Sequence, residues 1–318
     1  MQNNSSSIAK KGNKFINTSF WRILRWIPIA VLLLAGISLL IMILLGGMAK
    51  VTAWVLLHML PPLLGLIFLI VVVLYAVIRR RLSKAIVMTG LVSLLSLSPA
   101  ILNFVPVAYP ASITSMAPSA TVRLPANVPL KVAWGGDRLE VNAPHSVVPD
   151  QRWAYDFVVE PYFTGSPTLT DYGCYGIPVV APADAVVVEA HDGEPDMIPG
   201  MDTINYQSPE GNFIALKLET EIYLIIAHLK PGSVLVIEGE KVNEGQVIGQ
   251  CGNSGNTSEP HIHIHLQRQD PTIYPLNLAE GLPLYFRDHD GPPMPEGGVR
   301  NEDGNLVAFG ATVQHIGK

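Results

Sequence analysis

Three long apolar runs fill the first third of this chain and restrict its fold more than any other feature. They cover about 27–45, 51–78 and 85–105, and each has roughly the 20 residues that a helix needs to cross a bilayer. Residues 1–110 contain no Asp or Glu, whereas all 26 acidic residues follow them. The sequence therefore predicts a basic N-terminus over 1–26, three transmembrane helices within 27–105, and a polar domain.

The basic residues predict an orientation in the membrane. Five Lys and Arg precede the first run, Lys50 alone separates the first two runs, and four bases lie at 79–84. Because short loops rich in Lys and Arg stay in the cytoplasm, we expect a cytoplasmic N-terminus and an extracytoplasmic C-terminal domain. Two alternatives stay open: a first run cleaved as a signal peptide, or a third run that fails to span, which would leave the domain in the cytoplasm.

The rest of the chain is strongly acidic. Residues 106–129 are rich in Pro, Ala and Ser and predict a partly extended linker. After residue 110 the chain carries 11 basic and 26 acidic residues, a net charge of −15. That charge argues against a nucleic-acid partner.

Residues 130–318 show short alternating apolar segments, cut by Gly, Pro, Asn and Asp, with no sustained helical period. This pattern predicts an all-β domain, an antiparallel sandwich or barrel. The expected strands are 154–159, 177–180, 185–190, 212–218, 222–228, 233–237, 247–251 and 261–267, with edge strands at 281–286 and 308–314. Cys174 and Cys251 have no CxxC spacing, and we predict two buried free thiols in preference to a disulfide.

Residues 260–265 read Pro-His-Ile-His-Ile-His, directly after a Gly-rich stretch. Side chains alternate along a strand, so His261, His263 and His265 share one face, and the two isoleucines face the core. Neutral imidazole is a preferred zinc ligand. Three of the chain's nine histidines fall within five residues, which favours a metal site over a solvent-facing strand that is rich in histidine.

Four segments occur in order: QRWAYDF at 151–157, GIPVVAPAD at 176–184, GNF with AHL at 211–229, and GNSGN with PHIH at 252–263. Over about 151–267 this set resembles the M23 (LytM/lysostaphin-type) zinc metallopeptidase family. The resemblance implies an antiparallel β-sandwich of the duplicated hybrid motif type that holds one Zn²⁺ in a groove. It also implies Asp156 and His263 as zinc ligands, His261 as general base, and His228 as donor to the oxyanion.

One ligand is missing from this pattern. The resemblance places a histidine four residues before Asp156, where this chain has Arg152. A guanidinium stays protonated and does not bind zinc, and a catalytic zinc usually has three protein ligands. His145 and His265 are the two candidates. We favour His145, because same-face neighbours on one strand lie about 6–7 Å apart.

The resemblance implies a zinc-dependent endopeptidase that cuts the peptide stems or cross-bridges of peptidoglycan, in a multi-pass bacterial membrane protein whose catalytic domain faces the periplasm or cell wall. Its partners would be the peptidoglycan peptide and the lipid bilayer. The alternative is a non-catalytic M23-like domain that binds cell wall or regulates another hydrolase, with Arg152 marking a lost metal site.

Overall fold

The computed structural model describes residues 22–80, 82–200, 205, 207–275 and 278–317. The chain divides into two compact units at about residue 106. Most of the predicted basic N-terminus, residues 1–21, lies outside the described residues, as does Arg81.

The first unit is helical. Helix α1 covers Ile27–Leu44, α2 covers Gly47–Arg79, and α3 covers Lys84–Leu95, followed by a 3₁₀ helix over Ser98–Asn103. The segments Arg22–Leu44, Gly47–Ile78 and Lys84–Asn103 are each long and apolar enough to cross a membrane. The prediction of three apolar N-terminal helices is therefore confirmed.

Helix α2 continues through Pro61 and Pro62 without ending. Pro62 has no N–H to donate to the carbonyl of His58, one turn earlier. The side-chain amide of Asn103 donates to that carbonyl at 3.5 Å. A neighbouring segment thus supplies a donor for the group that the proline leaves unpaired, which is how transmembrane helices tolerate proline.

The second unit is predominantly β, as the sequence predicts. Eight strands form an antiparallel sheet in the order β14-β2-β3-β10-β7-β6-β5-β8. The smaller sheets are β4–β9 and β12–β13, both antiparallel, and β1–β11, which is parallel. The bounds are β1 Ala120–Arg123, β2 Leu130–Trp134, β3 Tyr155–Val158, β4 Pro178–Val180, β5 Ala185–His191, β6 Asn212–Lys217, β7 Tyr223–Leu229, β8 Lys241–Val242, β9 Val247–Gln250, β10 Ile262–Gln267, β11 Leu284–Arg287, β12 Val299–Glu302, β13 Asn305–Ala308 and β14 Thr312–Val313, with a one-turn helix α4 at Ala143–Ser146 and a 3₁₀ turn at Leu169–Asp171.

One face of the large sheet packs against the β1–β11 and β4–β9 pairs to form the core. Phe286 on β11 meets the rings of Tyr155 and Phe157 on β3 edge-on, with centroids 4.9 and 5.4 Å apart. Ile262 and Ile264 on β10 are fully buried in the same core. Because strand side chains alternate, the residues between them project from the opposite face, and that face carries the candidate site.

The predicted linker over 106–129 is wrong in its second half. Residues 120–123 form β1, which pairs with β11, and Val122, Leu124 and Ala126 are 1%, 0% and 0% exposed. Pro125 between Leu124 and Ala126, with Pro118 and Pro129 on either side, gives this segment the composition of a linker. Strand β11 lies within the segment predicted as an edge strand, and its residues Leu284 and Phe286 are buried in the core.

The predicted strand over 233–237 is also wrong. Leu235 donates one backbone hydrogen bond to Ile248, and the segment forms no strand. Leu235 and Ile237 are apolar, which predicts a buried strand, but their side chains are 64% and 72% exposed.

The two cysteines are joined, against the prediction of free thiols. Cys174 and Cys251 form a disulfide, with Cα atoms 5.8 Å apart. They meet because β4 and β9 pair beside them. The N–H of Gly176 donates to the carbonyl of Cys251, and the N–H of Cys251 donates to the carbonyl of Ile177. A sequence separation of 77 residues conceals this proximity.

Candidate active site

The site begins with the register of two neighbouring strands. Asp156 on β3 lies directly opposite His263 on β10, and Ala227 on β7 lies opposite His263 from the other side. His263 Nδ1 is 2.9 Å from Asp156 Oδ1. The pairing of β3 with β10 therefore brings a carboxylate and an imidazole together on the face away from the core.

His145 reaches this carboxylate from the one-turn helix α4. The side-chain amide of Asn142 donates to the carbonyls of Gly136 and Ala154, both at 3.1 Å. Its oxygen must then be the atom that accepts from His145 Nδ1, at 2.8 Å. This contact turns His145 Nε2 toward Asp156 Oδ2, 3.3 Å away.

These three side chains fit a zinc ion. One donor atom each from His145, Asp156 and His263 lies within 4.8 Å of the others. Tetrahedral zinc with bonds of about 2.0–2.2 Å places its ligand atoms about 3.3 Å apart. His145 Nε2 lies 3.3 Å from Asp156 Oδ2, and His263 Nδ1 lies 2.9 Å from Asp156 Oδ1, so the two oxygens of the carboxylate each have one imidazole at about that spacing.

His228 lies on β7 in the left-handed region, with φ of 61°. That backbone conformation is uncommon for a residue other than glycine and marks a local irregularity of the strand. The register between β6 and β7 shifts at this point, and the ring of His228 lies 4.8 Å from that of His261 and 5.6 Å from that of His263. The bend thus places His228 with the other histidines, although strict alternation would turn it toward the core.

His228 and His261 are held in the same way. His228 Nδ1 donates to the carbonyl of Ser254, and His261 Nδ1 donates to the carbonyl of Glu259, both at 2.8 Å. Each ring therefore keeps its Nε2 for the site, and His261 Nε2 is 3.5 Å from Asp156 Oδ1. Donor atoms of His228, His261 and His263 also lie within 4.8 Å of one another.

Burial and charge oppose each other at Asp156. Burial raises the pKa of Asp156, but His145 and His261 outweigh it and hold the pKa well below the ordinary value. Burial, with the neighbouring His261 and His263, holds the pKa of His228 well below its ordinary value. The site therefore favours an ionised carboxylate beside a neutral His228.

Arg152 and His265 are not brought to Asp156 as ligands. Arg152 is buried and donates to the carbonyl of Tyr109 at 3.3 Å and to the Asp137 carboxylate at 3.0 Å. His265 contacts His263 instead, with His265 Nδ1 at 3.0 Å from His263 Nε2. Of the two candidates for the missing ligand, the structure places His145 beside the carboxylate.

Sequence reasoning missed the residues that orient these rings. Asn142 shows one signal, its position three residues before His145 at the start of a short turn. Glu210 also went unnoticed. It lines the cavity of about 590 Å³ around the site, together with Gln151 and Ser258. Burial raises the pKa of the Glu210 carboxyl to about 7.

The sequence model of peptidase family M23 matches residues 170–275. This segment is similar to peptidase family M23. The matched M23 segment includes His228, His261 and His263, whereas Asp156 and His145 precede it.

Solved structures also match parts of the chain. A zinc-containing peptidase from Vibrio cholerae is 19% identical, over 46% of this chain and 36% of that one, with a TM-score of 0.31. The catalytic domain of a mutant of the prophage-encoded M23 protein EnpA from Enterococcus faecalis is 15% identical, over 48% and 88%, with a TM-score of 0.31. The catalytic domain of the antimicrobial peptidase lysostaphin from Staphylococcus simulans is 21% identical, over 44% and 86%, with a TM-score of 0.26. The chain thus spans about a third of the first protein and nearly nine tenths of each of the other two.

Proposed function

We propose that this chain is a membrane-anchored zinc endopeptidase that hydrolyses the peptides of peptidoglycan. The observation that supports it most is the convergence of donor atoms from His145, Asp156 and His263. His145 donates its Nδ1 hydrogen to Asn142, so its Nε2 faces a carboxylate oxygen 3.3 Å away. Without a hydrogen on Nε2, these two electron-rich atoms repel each other unless a cation lies between them.

Protons alone are a poor substitute for that cation. His261 Nε2 also faces Asp156, so four ionisable side chains share one buried pocket. Protonating His145, His261 and His263 together would leave two uncompensated positive charges against one carboxylate, which is costly in a buried site. A single divalent ion gives each donor a partner.

When bound, zinc would polarise the scissile carbonyl and lower the pKa of an attacking water. The chain's own residues then manage the proton. Burial lowers the pKa of His261, but Asp156 outweighs it and raises that pKa, so we propose His261 Nε2 as the base that takes the water's proton and passes it to the leaving amine.

The role predicted for His228, donating to the oxyanion, needs a proton on its Nε2. Its Nδ1 hydrogen is already donated to Ser254, and burial disfavours the charged ring. We therefore propose that the neutral ring first orients the water by accepting its second hydrogen bond. It would donate to the oxyanion only after gaining a proton.

The membrane helices and the disulfide support a site on the cell-wall side. Four bases at 79–84 against Lys50 alone favour the extracytoplasmic side for the domain. Disulfides persist in oxidising compartments outside the cytoplasm, and Cys174–Cys251 is one. Protease added to wall-stripped cells should then digest the domain, and full protection would reverse this orientation.

Metal content and hydrolysis together test the activity. The full-length chain, purified in detergent, should bind about one zinc ion per chain by elemental analysis and release peptides from purified peptidoglycan. His263→Ala and His145→Ala should lose both properties. His315→Ala should keep them, because His315 pairs with His289 elsewhere in the domain.

A chain that binds peptidoglycan without zinc and without hydrolysis would contradict the proposal. That outcome would support a non-catalytic cell-wall-binding domain. A zinc-bound chain that cuts other peptides but not peptidoglycan would contradict only the substrate.

A further inference from the structure

A line of side-chain hydrogen bonds runs along β10 away from the candidate metal site. His263 Nε2 lies 3.0 Å from His265 Nδ1, and His265 Nε2 lies 3.2 Å from Gln267 Oε1. Gln267 Nε2 then donates to the backbone carbonyl of Gln269 at 2.7 Å. The three side chains share one face of the strand and are 5%, 2% and 5% exposed.

The hydrogen bond from Gln267 to the carbonyl of Gln269 determines which atom donates and which accepts in the other hydrogen bonds of the line. A backbone carbonyl only accepts, so the atom of Gln267 beside Gln269 must be the amide nitrogen. The amide oxygen of Gln267 therefore faces His265, and it can only accept. His265 Nε2 must then carry a hydrogen.

The same reasoning assigns donor and acceptor in the hydrogen bond between His265 and His263. Among the described residues, no carboxylate hydrogen-bonds to His265, and a buried imidazole without one is neutral. With its hydrogen on Nε2, His265 accepts at Nδ1, so His263 Nε2 must donate. The lone pair of a neutral His263 is then on Nδ1, the atom 2.9 Å from Asp156 Oδ1.

We propose that His265 and Gln267 are positioning residues that hold His263 in the tautomer that binds metal through Nδ1. The proposal rests on the proposed zinc site. It gives His265 a role other than that of a ligand. Hydrogen bonds to the second nitrogen of a metal-binding histidine fix its tautomer and orientation, and losing one typically costs about 10–100-fold in metal affinity.

The tautomer is measurable without zinc. The full-length chain, labelled with ¹⁵N-histidine and embedded in lipid nanodiscs with metal removed, is examined by NMR at pH 8. The His263 signal is assigned by its loss in His263→Ala. We expect a hydrogen on Nε2, whether or not Nδ1 beside Asp156 also carries one, and a ring whose only hydrogen is on Nδ1 would overturn the proposal.

Gln267→Met removes the acceptor that orients His265. We expect a His263 population whose only hydrogen is on Nδ1, and a zinc dissociation constant raised about 10–100-fold in competition with a chelator. Gln314→Met, at an exposed glutamine, is the matched control and should change neither. Gln267→Asn stays polar but is one methylene too short to bridge, and it replaces Gln267→Met if that variant misfolds.

The outcomes separate the two proposals. Unchanged tautomer and unchanged zinc affinity in a folded Gln267 variant would overturn the positioning role. If the wild-type chain binds no zinc, the proposed function fails, while the tautomer of His263 in the metal-free chain still decides whether the hydrogen-bonded line acts as we infer.

Discussion

The disulfide between Cys174 and Cys251 gives a prediction with a calculable size. It closes a loop across a sequence separation of 77 residues. In the chain-entropy model such a cross-link restricts the unfolded chain and stabilises the folded one by about 4.5 kcal/mol at 25 °C. Cys174→Ala with Cys251→Ala should therefore lower the unfolding free energy of the β domain by about that amount. Because both cysteines are 1% exposed, alanine is preferable to serine, which would bury a hydroxyl.

Hydrogen exchange in the full-length chain measures this loss without denaturant. Strand β7, Tyr223–Leu229, lies in the middle of the large sheet with every residue buried, so its amides exchange through global unfolding of the domain. A loss of 4.5 kcal/mol corresponds to exchange about 2,000-fold faster. Wild-type chain treated with a reductant is the matched control, because it breaks the cross-link and keeps both sulfur atoms.

Exchange that accelerates less than about tenfold in both samples would refute the reasoning. It would mean that the cross-link does not restrict the unfolded chain as the model assumes. Acceleration in the double variant alone would assign the effect to lost packing of the sulfur atoms instead.

Three further predictions concern single side chains. His145→Ala should empty the zinc site, and adding Arg152→His should not restore it, because the Arg152 side chain contacts Tyr109 and Asp137 and does not line the cavity; restored zinc content would contradict the assignment of His145. Burial raises the pKa of Glu210 from 4.5 to about 7, so the folded chain holds this proton more tightly than the unfolded chain and loses stability as pH rises through that window. Glu210→Gln should then match wild type at pH 4 and exceed it at pH 8 by at most about 3 kcal/mol in denaturant unfolding, and no gain at pH 8 would contradict the raised pKa. Phe286→Ala should cost about 3–5 kcal/mol in the same assay, and a cost under about 1 kcal/mol would show that β11 is not part of the core.

Local patterns predict much of this fold. The three apolar runs follow from length and hydropathy alone. Most strands follow from alternation, including β10, whose histidines and isoleucines separate onto opposite faces. These signals are visible in sequence because each depends on neighbours within a few residues.

Long-range pairing is where sequence reasoning fails. The sequence predicts a linker at strand β1 because its partner, β11, is distant along the chain. The sequence does not predict the disulfide because its two cysteines meet only after β4 and β9 pair. Neither pairing leaves a local signature.

The candidate site, too, is predictable from the sequence only in part. The resemblance supplied Asp156, His228, His261 and His263, but it left the replacement for Arg152 open. His145 lies beside Asp156 because the amide of Asn142 bridges two backbone carbonyls and still accepts from the ring. That arrangement depends on the folded positions of residues 136 and 154.

Histidine repeats at every second position of β10, and this has a consequence for assembly of the sheet. Sliding β10 by one residue against β3 would drive imidazoles into the apolar interior. Sliding it by two would keep the isoleucines inside and set His261 or His265 opposite Asp156, so the alternation alone does not reject that misalignment. Because an imidazole would face Asp156 in each of these alignments, an ion held by His145 and Asp156 would not select among them by itself. The contacts at the two ends of the repeat, from His261 to the Glu259 carbonyl and from His265 to Gln267, are what distinguish the observed register.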